Sequence, residues 1–188
     1  MPTVLGSDGA TLKFSIAQDR LQVDYRCPSG GDGERTVFLA LQTKAEAGSA
    51  VVPFSETFEG STVFLPCQAN QIYLLAMGAD SSSVSKRTWE NWKWSDRHEA
   101  GKELDLQVGV RDCRIGLPLS ALGQNLKVVL YSKDFTQDKT WGRFFGASDP
   151  SVGNGAGDKY ISHYLEIDLQ AKDAPAVKVM GRSMPLRI

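Results

Sequence analysis

The segment T-L-K-F-S-I-A-Q-D-R-L-Q-V-D-Y-R, residues 11–26, carries the clearest structural signal in this chain. Apolar and polar residues alternate on both sides of the pair Gln18-Asp19. The apolar positions are Leu12, Phe14 and Ile16 before it, and Leu21, Val23 and Tyr25 after it. A period of two places apolar side chains on one face of a strand and polar side chains on the other. The segment therefore predicts an antiparallel hairpin with one buried and one solvated face.

The rest of the chain continues as short segments of the same kind. The apolar runs T-V-F-L-A-L-Q at 36–42 and Q-I-Y-L-L-A-M at 71–77 predict central, strongly buried strands. Further strands are expected at 51–58, 61–65, 103–110, 113–117, 126–131 and 160–169. Pro66 is expected to end the hairpin of 51–65, and P-L-S-A-L-G at 118–123 predicts one short helical turn closed by Gly123.

No segment of the chain shows a sustained apolar period of 3.6 residues. We therefore expect an all-β protein of about ten short strands, packed as a two-sheet antiparallel β-sandwich of jelly-roll or immunoglobulin-like topology. The 188 residues are enough to bury a substantial core. Residues 1–170 are expected to form a single domain, and 171–188 a C-terminal edge strand or tail.

Composition excludes several classes of partner. The chain has 21 basic and 22 acidic residues, which leaves no electrostatic footprint for nucleic acid or an anionic membrane. The three cysteines, Cys27, Cys67 and Cys113, form no C-x-x-C pair, so we expect reduced, mostly buried thiols, with one disulfide as the second option. The sequence predicts a soluble chain without a signal peptide; because a domain excised from a secreted protein fits equally, the compartment is left open.

The segment S-K-R-T-W-E-N-W-K-W-S-D, residues 85–96, holds three of the four tryptophans. If it is one extended strand, Trp92 and Trp94 share a face at roughly 6.6 Å, and Trp89, Asn91 and Lys93 point the other way. Two neighbouring indoles would make a stacking surface for a ligand. The alternative, given equal weight, is that at least two of these rings are packed in the core.

Carbohydrate recognition suits such residues, because a sugar ring stacks on an indole while its hydroxyls bond to planar polar groups. A second aromatic segment, W-G-R-F, lies at 141–144. The predicted ligand-binding residues are Trp89, Asn91, Trp92, Trp94, Asp96, Trp141 and Arg143. On this hypothesis, Trp94→Ala weakens glycan binding and leaves the melting temperature within a few degrees. Aromatic and polar stretches also form protein interfaces, which is the alternative.

Catalytic and metal chemistry find less support. With only His98 and His163 and no G-x-S-x-G motif, a nucleophile and base pair is not indicated, and we expect no enzyme. No cofactor is predicted, with structural calcium as the one option. Its candidate ligands in the glycine-rich segment near 150 are Asp149, Asn154 and Asp158, and the alternative is that these residues only form turns.

The second half of the chain resembles a known superfamily. The order K-E-L-D-L-Q-V-G-V, R-D-C-R-I-G-L-P-L-S-A-L-G, N-L-K-V-V-L-Y-S-K-D and G-D-K-Y-I-S-H-Y-L-E-I-D-L, within residues 102–170, is similar to the DOMON-like superfamily. That superfamily includes family 9 carbohydrate-binding modules and the C-terminal domains of glucodextranase-type enzymes. The resemblance implies a β-sandwich that holds a sugar between tryptophans, here Trp92 or Trp94 with Trp141. In the cytochrome branch it implies a haem between a methionine and a histidine, here Met77 and His163.

These observations lead to one expectation and two alternatives. We expect a non-catalytic carbohydrate-binding β-sandwich module, whose partners are a carbohydrate ligand and a neighbouring catalytic domain or other protein. The first alternative is a structural or protein-interaction domain of a larger assembly. The second alternative is a DOMON-type haem-binding domain.

Overall fold

A computed structural model describes residues 2–5, 11–26, 35–43, 47–52, 63–77, 82–109, 112–134, 143–144, 152–153, 159–161, 163–170 and 175–181. These segments form eighteen strands and one 3-10 turn at Leu119–Ala121. The strands are β1 (Thr3–Leu5), β2 (Thr11–Ala17), β3 (Arg20–Arg26), β4 (Arg35–Gln42), β5 (Ser49–Val52), β6 (Val63–Ala69), β7 (Gln71–Met77), β8 (Ser82–Glu90), β9 (Lys93–Trp94), β10 (His98–Glu99), β11 (Gln107–Val108), β12 (Asp112–Pro118), β13 (Asn125–Asp134), β14 (Arg143–Phe144), β15 (Val152–Gly153), β16 (Lys159–Tyr160), β17 (His163–Asp168) and β18 (Ala176–Gly181).

The chain is an all-β sandwich of antiparallel sheets, as predicted. The first sheet has the order β1-β2-β3-β12-β11, and the central sheet has the order β10-β8-β7-β4-β13-β17-β18, with β9 beside β8 and β14 beside β13. A smaller third sheet, β15-β16-β6-β5, adds a layer that the sequence did not predict. Within these described strands, β16 with β6 is the one parallel pair.

The central sheet is covered on both faces. Side chains of Val37, Leu39 and Leu41 pack into the core against the first sheet, and the alternate residues Phe38 and Ala40 belong to the core shared with the third sheet. A strand buried on both faces loses its polar positions, so period-two alternation disappears from its sequence. This is why residues 36–42 are a continuous apolar run.

The predicted hairpin of residues 11–26 is confirmed. Strands β2 and β3 pair in register from Thr11 opposite Arg26 to Ala17 opposite Arg20. The turn residues Gln18 and Asp19 both have positive φ, 54° and 57°, as a two-residue hairpin turn requires. The apolar side chains lie in the core except that of Ile16, which is 40% exposed next to the turn, and the polar ones form the outer face of the first sheet.

The prediction of a strand over 103–110 was wrong. Residues 101–105 form turns, and the strand β11 covers only 107–108. Leu104 is nevertheless fully buried, its N–H donating to Ala100 O and its carbonyl accepting from Gly116 N. Asp105 adopts a positive φ of 47°, which breaks the extended backbone. The alternating sequence of residues 103–110 therefore does not come from one strand. It comes from a turn, held by the buried Leu104, that is followed by the short strand β11.

Two further boundaries differ from prediction. Pro66 does not end a strand: β6 continues to Ala69, and Pro66 lies where the register with β5 shifts, a place where a missing N–H is tolerated. The single strand expected over 160–169 is divided into β16 and β17, which belong to different sheets. Between them, Ile161 is buried in the core of the third sheet. The C-terminal edge strand expected after residue 170 is present as β18.

Cys67 and Cys113 are buried thiols, as expected, and Cys27 lies outside the described residues. None of the described segments contains a helix with the length and apolar character needed to cross a bilayer.

Candidate functional site

The tryptophans of residues 85–96 lie on a hairpin formed by β8 and β9, which we call the tryptophan hairpin (Ser82–Trp94). Its two-residue turn is Asn91-Trp92, with φ values of 50° and 64°. Positive φ at both central residues is the geometry of a type I′ turn, which matches the twist of the flanking strands. The expectation that residues 85–96 form one extended strand was therefore wrong, because the chain reverses at Trp92.

The turn changes which indoles are neighbours. Trp89 faces Trp94 across the two strands, with ring centroids 5.4 Å apart and planes at 72°. This edge-to-face arrangement is favourable between aromatic rings. Because the chain reverses at Trp92, Trp94 has Trp89 as its neighbour and not Trp92. The predicted side-by-side surface of Trp92 and Trp94 therefore does not form.

Trp94 is anchored in the sandwich. Its ring is half-buried against the core between the central and third sheets, and its Nε1 donates to Val51 O at 3.0 Å. Both the packing and the hydrogen bond tie β9 to β5. The sequence left open whether these rings form a stacking surface or pack in the core, and Trp94 packs against the core.

Trp92 has the opposite environment. Its side chain is 91% exposed, while it occupies the second central position of a type I′ turn, where glycine is strongly preferred. A left-handed backbone costs a residue with a side chain about 1–2 kcal/mol. Burial of the Trp92 ring does not offset this unfavourable backbone energy, because the ring is exposed.

Polar residues adjoin Trp92 in the turn and in the two strands beside it. Asn91 precedes it in the turn and is exposed, and Glu90 faces Lys93 across the hairpin. Asp96 is exposed beyond the end of β9. The tip therefore offers amide, carboxylate and ammonium groups within a few residues of one free indole.

The base of the hairpin is held by hydrogen bonds. Trp89 N donates to Asn70 O at 2.9 Å, and Ser95 N donates to Thr88 O at 2.8 Å. The Ser95 hydroxyl also accepts from Thr88 N at 2.9 Å. These bonds fix the two strands where they leave the central sheet, so the tip projects from a defined support.

The second predicted aromatic segment lies elsewhere. Arg143 is in β14, where its backbone pairs with Ser132 of β13, and Trp141 lies outside the described residues. Four strand spacings and about five residues along the strands separate Arg143 from Trp89, which places their backbones roughly 25 Å apart. The structure thus does not bring Arg143 into the same site as the tryptophan hairpin.

The calcium candidates Asp149, Asn154 and Asp158 also lie outside the described residues. Within the ranges that the structure describes, no three His, Cys, Asp or Glu side chains converge closely enough to hold a metal ion. For the haem alternative, Met77 in β7 and His163 in β17 are three strand spacings apart, roughly 20 Å between backbones once the offset along the strands is included. The structure does not bring this pair together.

A partly buried polar cluster lies on the other face of the central sheet. Lys86 Nζ contacts Glu103 Oε1 at 2.5 Å and lies 5.2 Å from the centre of the Tyr73 ring. The Tyr73 hydroxyl is 3.3 Å from the same carboxylate oxygen. Burial and the nearby Glu103 charge both raise the pKa of Tyr73, which keeps this hydroxyl protonated. The cluster fastens the turn of residues 101–105 to the central sheet.

One feature was missed by the sequence reasoning: a cleft on the outer face of the first sheet, lined by polar residues of β2, β3, β11 and β12. Alternation in each strand predicts a solvated face, but it does not tell which polar residues of different strands become neighbours. That depends on the register, which no single strand contains.

Comparisons with protein-family models, with curated proteins and with solved structures found no match for this chain. The resemblance to the DOMON-like superfamily therefore stays a prediction.

Proposed function

We propose that this protein is a non-catalytic β-sandwich module that binds carbohydrate, with Trp92 as the residue that stacks on the sugar. One observation carries the proposal: an almost fully exposed indole occupies a turn position at which a side chain is unfavourable. Where a residue breaks a local rule with no gain in folding, function is the usual reason.

The geometry of the tip suits a single sugar ring. At 91% exposure the Trp92 indole leaves its ring accessible, and the C–H face of a pyranose packs on such a surface. Asn91, Glu90 and Lys93 supply planar and charged groups for the hydroxyls at the ring's rim. A rigid turn lowers the entropy lost on binding, which favours affinity from few contacts.

The other two tryptophans have a supporting role in this proposal. Trp89 and Trp94 contact each other, and Trp94 bonds to β5, so they hold the hairpin against the body of the sandwich. The binding set predicted from sequence is thus reduced to Trp92 and Asn91 as contacts, with the exposed Asp96 further along the chain beyond the end of β9. Arg143 lies in a different region, Trp141 lies outside the described residues, and neither is part of this proposed site.

A protein-interaction domain is the second candidate, and a specific observation favours it. Among the described strands, β18 is an edge of the central sheet, and its Val179 is 45% exposed. An edge strand with an exposed apolar residue can pair with a partner's strand. Tryptophan is also enriched among the residues that dominate protein interfaces. This candidate predicts self-association or capture of a protein, and no affinity for glycans.

The test compares the wild-type protein with Trp92→Gly on a panel of soluble glycans by affinity electrophoresis. Glycine suits the turn, so the variant removes the ring and keeps the fold. Retardation by one glycan class that disappears in Trp92→Gly supports the proposal. No retardation by any glycan, together with a mass in analytical ultracentrifugation that rises with concentration, favours the protein-interaction domain instead. Glu99→Gln, an exposed change in β10, is the matched control.

A further inference from the structure

The outer face of the first sheet carries a cleft with a volume of about 680 Å³. Its polar lining includes Lys13, Asp24, Arg26, Gln107, Asp112 and Arg114. The volume falls within the range of about 300–1,000 Å³ that is typical of sites for small molecules. The cleft lies in a different sheet from the tryptophan hairpin, so its function is a separate question.

Strand register places the lining residues in two rows. One row crosses all five strands of the first sheet: Thr3 faces Lys13, Lys13 faces Asp24, Asp24 faces Arg114, and Arg114 faces Gln107. At about 4.8 Å between strands, the row is about 19 Å long. In the adjacent row, Arg26 faces Asp112. The polar groups are therefore positioned by backbone pairing and not by a loop.

Some charged side chains of the cleft form ion pairs and others do not. Arg114 holds the Asp24 carboxylate with two hydrogen bonds, from Nε at 2.6 Å and from Nη2 at 3.3 Å. Within the part of the chain that the structure describes, Lys13 and Arg26 make no side-chain hydrogen bond or ion pair, and both are exposed. With Asp24 already paired and the Asp112 carboxylate also acting on Arg114, Lys13 and Arg26 remain as two cations without an ion pair among the described residues, an arrangement that favours an anionic group.

The two unpaired cations are placed to share one anion. Lys13 lies opposite Asp24, and Arg26 is two residues further along β3, which makes Lys13 and Arg26 diagonal neighbours at about 7–8 Å between Cα atoms. Both side chains are long enough to converge on one carboxylate. Asp112 lies opposite Arg26, and Gln107 lies in the row of Lys13 at the other end of the cleft, beyond Asp24 and Arg114. They add a carboxylate acceptor and an amide, which suit hydroxyl groups because a hydroxyl both donates and accepts.

We propose that this cleft is a second ligand site, for a small sugar acid: its carboxylate lies between Lys13 and Arg26, and its hydroxyls bond to Asp112 and Gln107. The site does not depend on the function proposed for Trp92. A neutral sugar lacks the group that the two cations hold, and a bare carboxylate lacks the hydroxyls.

The test is isothermal titration calorimetry with three probes: D-glucuronate, D-glucose and acetate. We expect glucuronate to bind with a dissociation constant at least tenfold lower than that of glucose or acetate, and the affinity to fall as salt is raised. The double variant Lys13→Ala/Arg26→Ala should weaken glucuronate binding more than tenfold. Lys178→Ala, an exposed lysine in β18, is the matched control and should bind as the wild type does.

Four outcomes would overturn the proposal. Three of them are equal affinity for acetate and glucuronate, no glucuronate binding at millimolar concentration, and binding that survives in a folded Lys13→Ala/Arg26→Ala variant. The Trp92→Gly variant should keep its glucuronate affinity; a loss there would assign the acid to the tryptophan hairpin and overturn the site on the first sheet. Circular dichroism and melting temperatures of each variant establish that it is folded.

Discussion

The Asn70 side chain forms a closed pair of hydrogen bonds with the backbone and the hydroxyl of Thr43 inside the protein. Thr43 N donates to Asn70 Oδ1 at 2.9 Å, and Asn70 Nδ2 donates to the Thr43 hydroxyl at 2.8 Å. Among the described residues, these two are the buried polar side chains. The Asn70 carbonyl also accepts from Trp89 N, so the pair lies directly beneath the tryptophan hairpin.

Replacing Asn70 with alanine should lower the free energy of unfolding by about 1–3 kcal/mol, because the Thr43 N–H would lose its partner in a buried place. Urea denaturation monitored by tryptophan fluorescence measures this change. The exposed Asn125→Ala is the control and should stay within about 0.5 kcal/mol of the wild type. An equally small effect for Asn70→Ala would mean that water replaces the amide at no cost.

Trp94→Ala should destabilise the protein by about 2 kcal/mol, since a half-buried indole is lost from the core and the Val51 carbonyl loses its donor. This corresponds to a fall in melting temperature of about 4–8 °C for a domain of this size. It replaces the expectation from sequence that Trp94→Ala leaves the melting temperature almost unchanged. Trp94→Phe keeps a ring without the donor, and a melting temperature close to that of Trp94→Ala would show that the hydrogen bond outweighs the packing.

Trp92→Gly should keep or raise stability, by up to about 1 kcal/mol, because Asn-Gly is the preferred sequence of a type I′ turn. The measurement is the midpoint of urea unfolding at constant m-value. Trp92→Ala, which keeps a Cβ at a φ of 64°, is the matched comparison and should be less stable than Trp92→Gly. A clear loss of stability in both variants would indicate that the ring packs against the protein in solution.

Alkaline pH should destabilise the protein through Cys67. Burial raises the pKa of the Cys67 thiol from 9.0 to about 12, although the Lys127 charge lowers it in part. Between these values the unfolded chain releases a proton that the folded chain retains, so stability is present below pH 9 and is lost as pH rises toward 12. The slope is about 1.4 kcal/mol per pH unit for one group.

The test measures urea unfolding of wild type and Cys67→Ala from pH 7.5 to 10.5. The variant is expected to be less stable at pH 7.5, and the difference from wild type should shrink above pH 9. A difference that stays constant over this range would show that the thiol ionises equally well in both states. Tyr73, whose pKa is also raised by burial, is present in both proteins and does not affect the comparison.

Much of the fold could be predicted because the apolar pattern of each strand indicates how many of its faces are buried. The residues of β2 and β3 alternate, and those of β4 and β7 are continuously apolar, so each strand shows how many of its faces are covered. The third sheet was not predictable in this way. A continuous apolar run indicates that something covers the second face of β4, but it does not identify β5 and β6 as the cover.

The tryptophan segment shows the limit more sharply. Whether Trp94 neighbours Trp92 or Trp89 depends on one turn, and Asn91-Trp92 has only the first residue of the usual Asn-Gly signal. The same residue that breaks the signal is the one that is exposed. The cleft on the first sheet could not be predicted for a related reason. Its residues are distant in the sequence: Arg114 and Asp24, which are hydrogen-bonded to each other, are 90 residues apart.

The pairing of β4 with β13 at the middle of the central sheet has a consequence for how the chain folds. It joins Arg35 to Asp134 and Gln42 to Lys127, so the sheet cannot be completed until a loop of at least about 85 residues has been closed. The hairpins β2–β3 and β7–β8 need no such closure and can form early. We expect refolding in stopped-flow experiments to take milliseconds to seconds. Completion in microseconds would mean that the parts of the chain that carry β4 and β13 associate before these strands form.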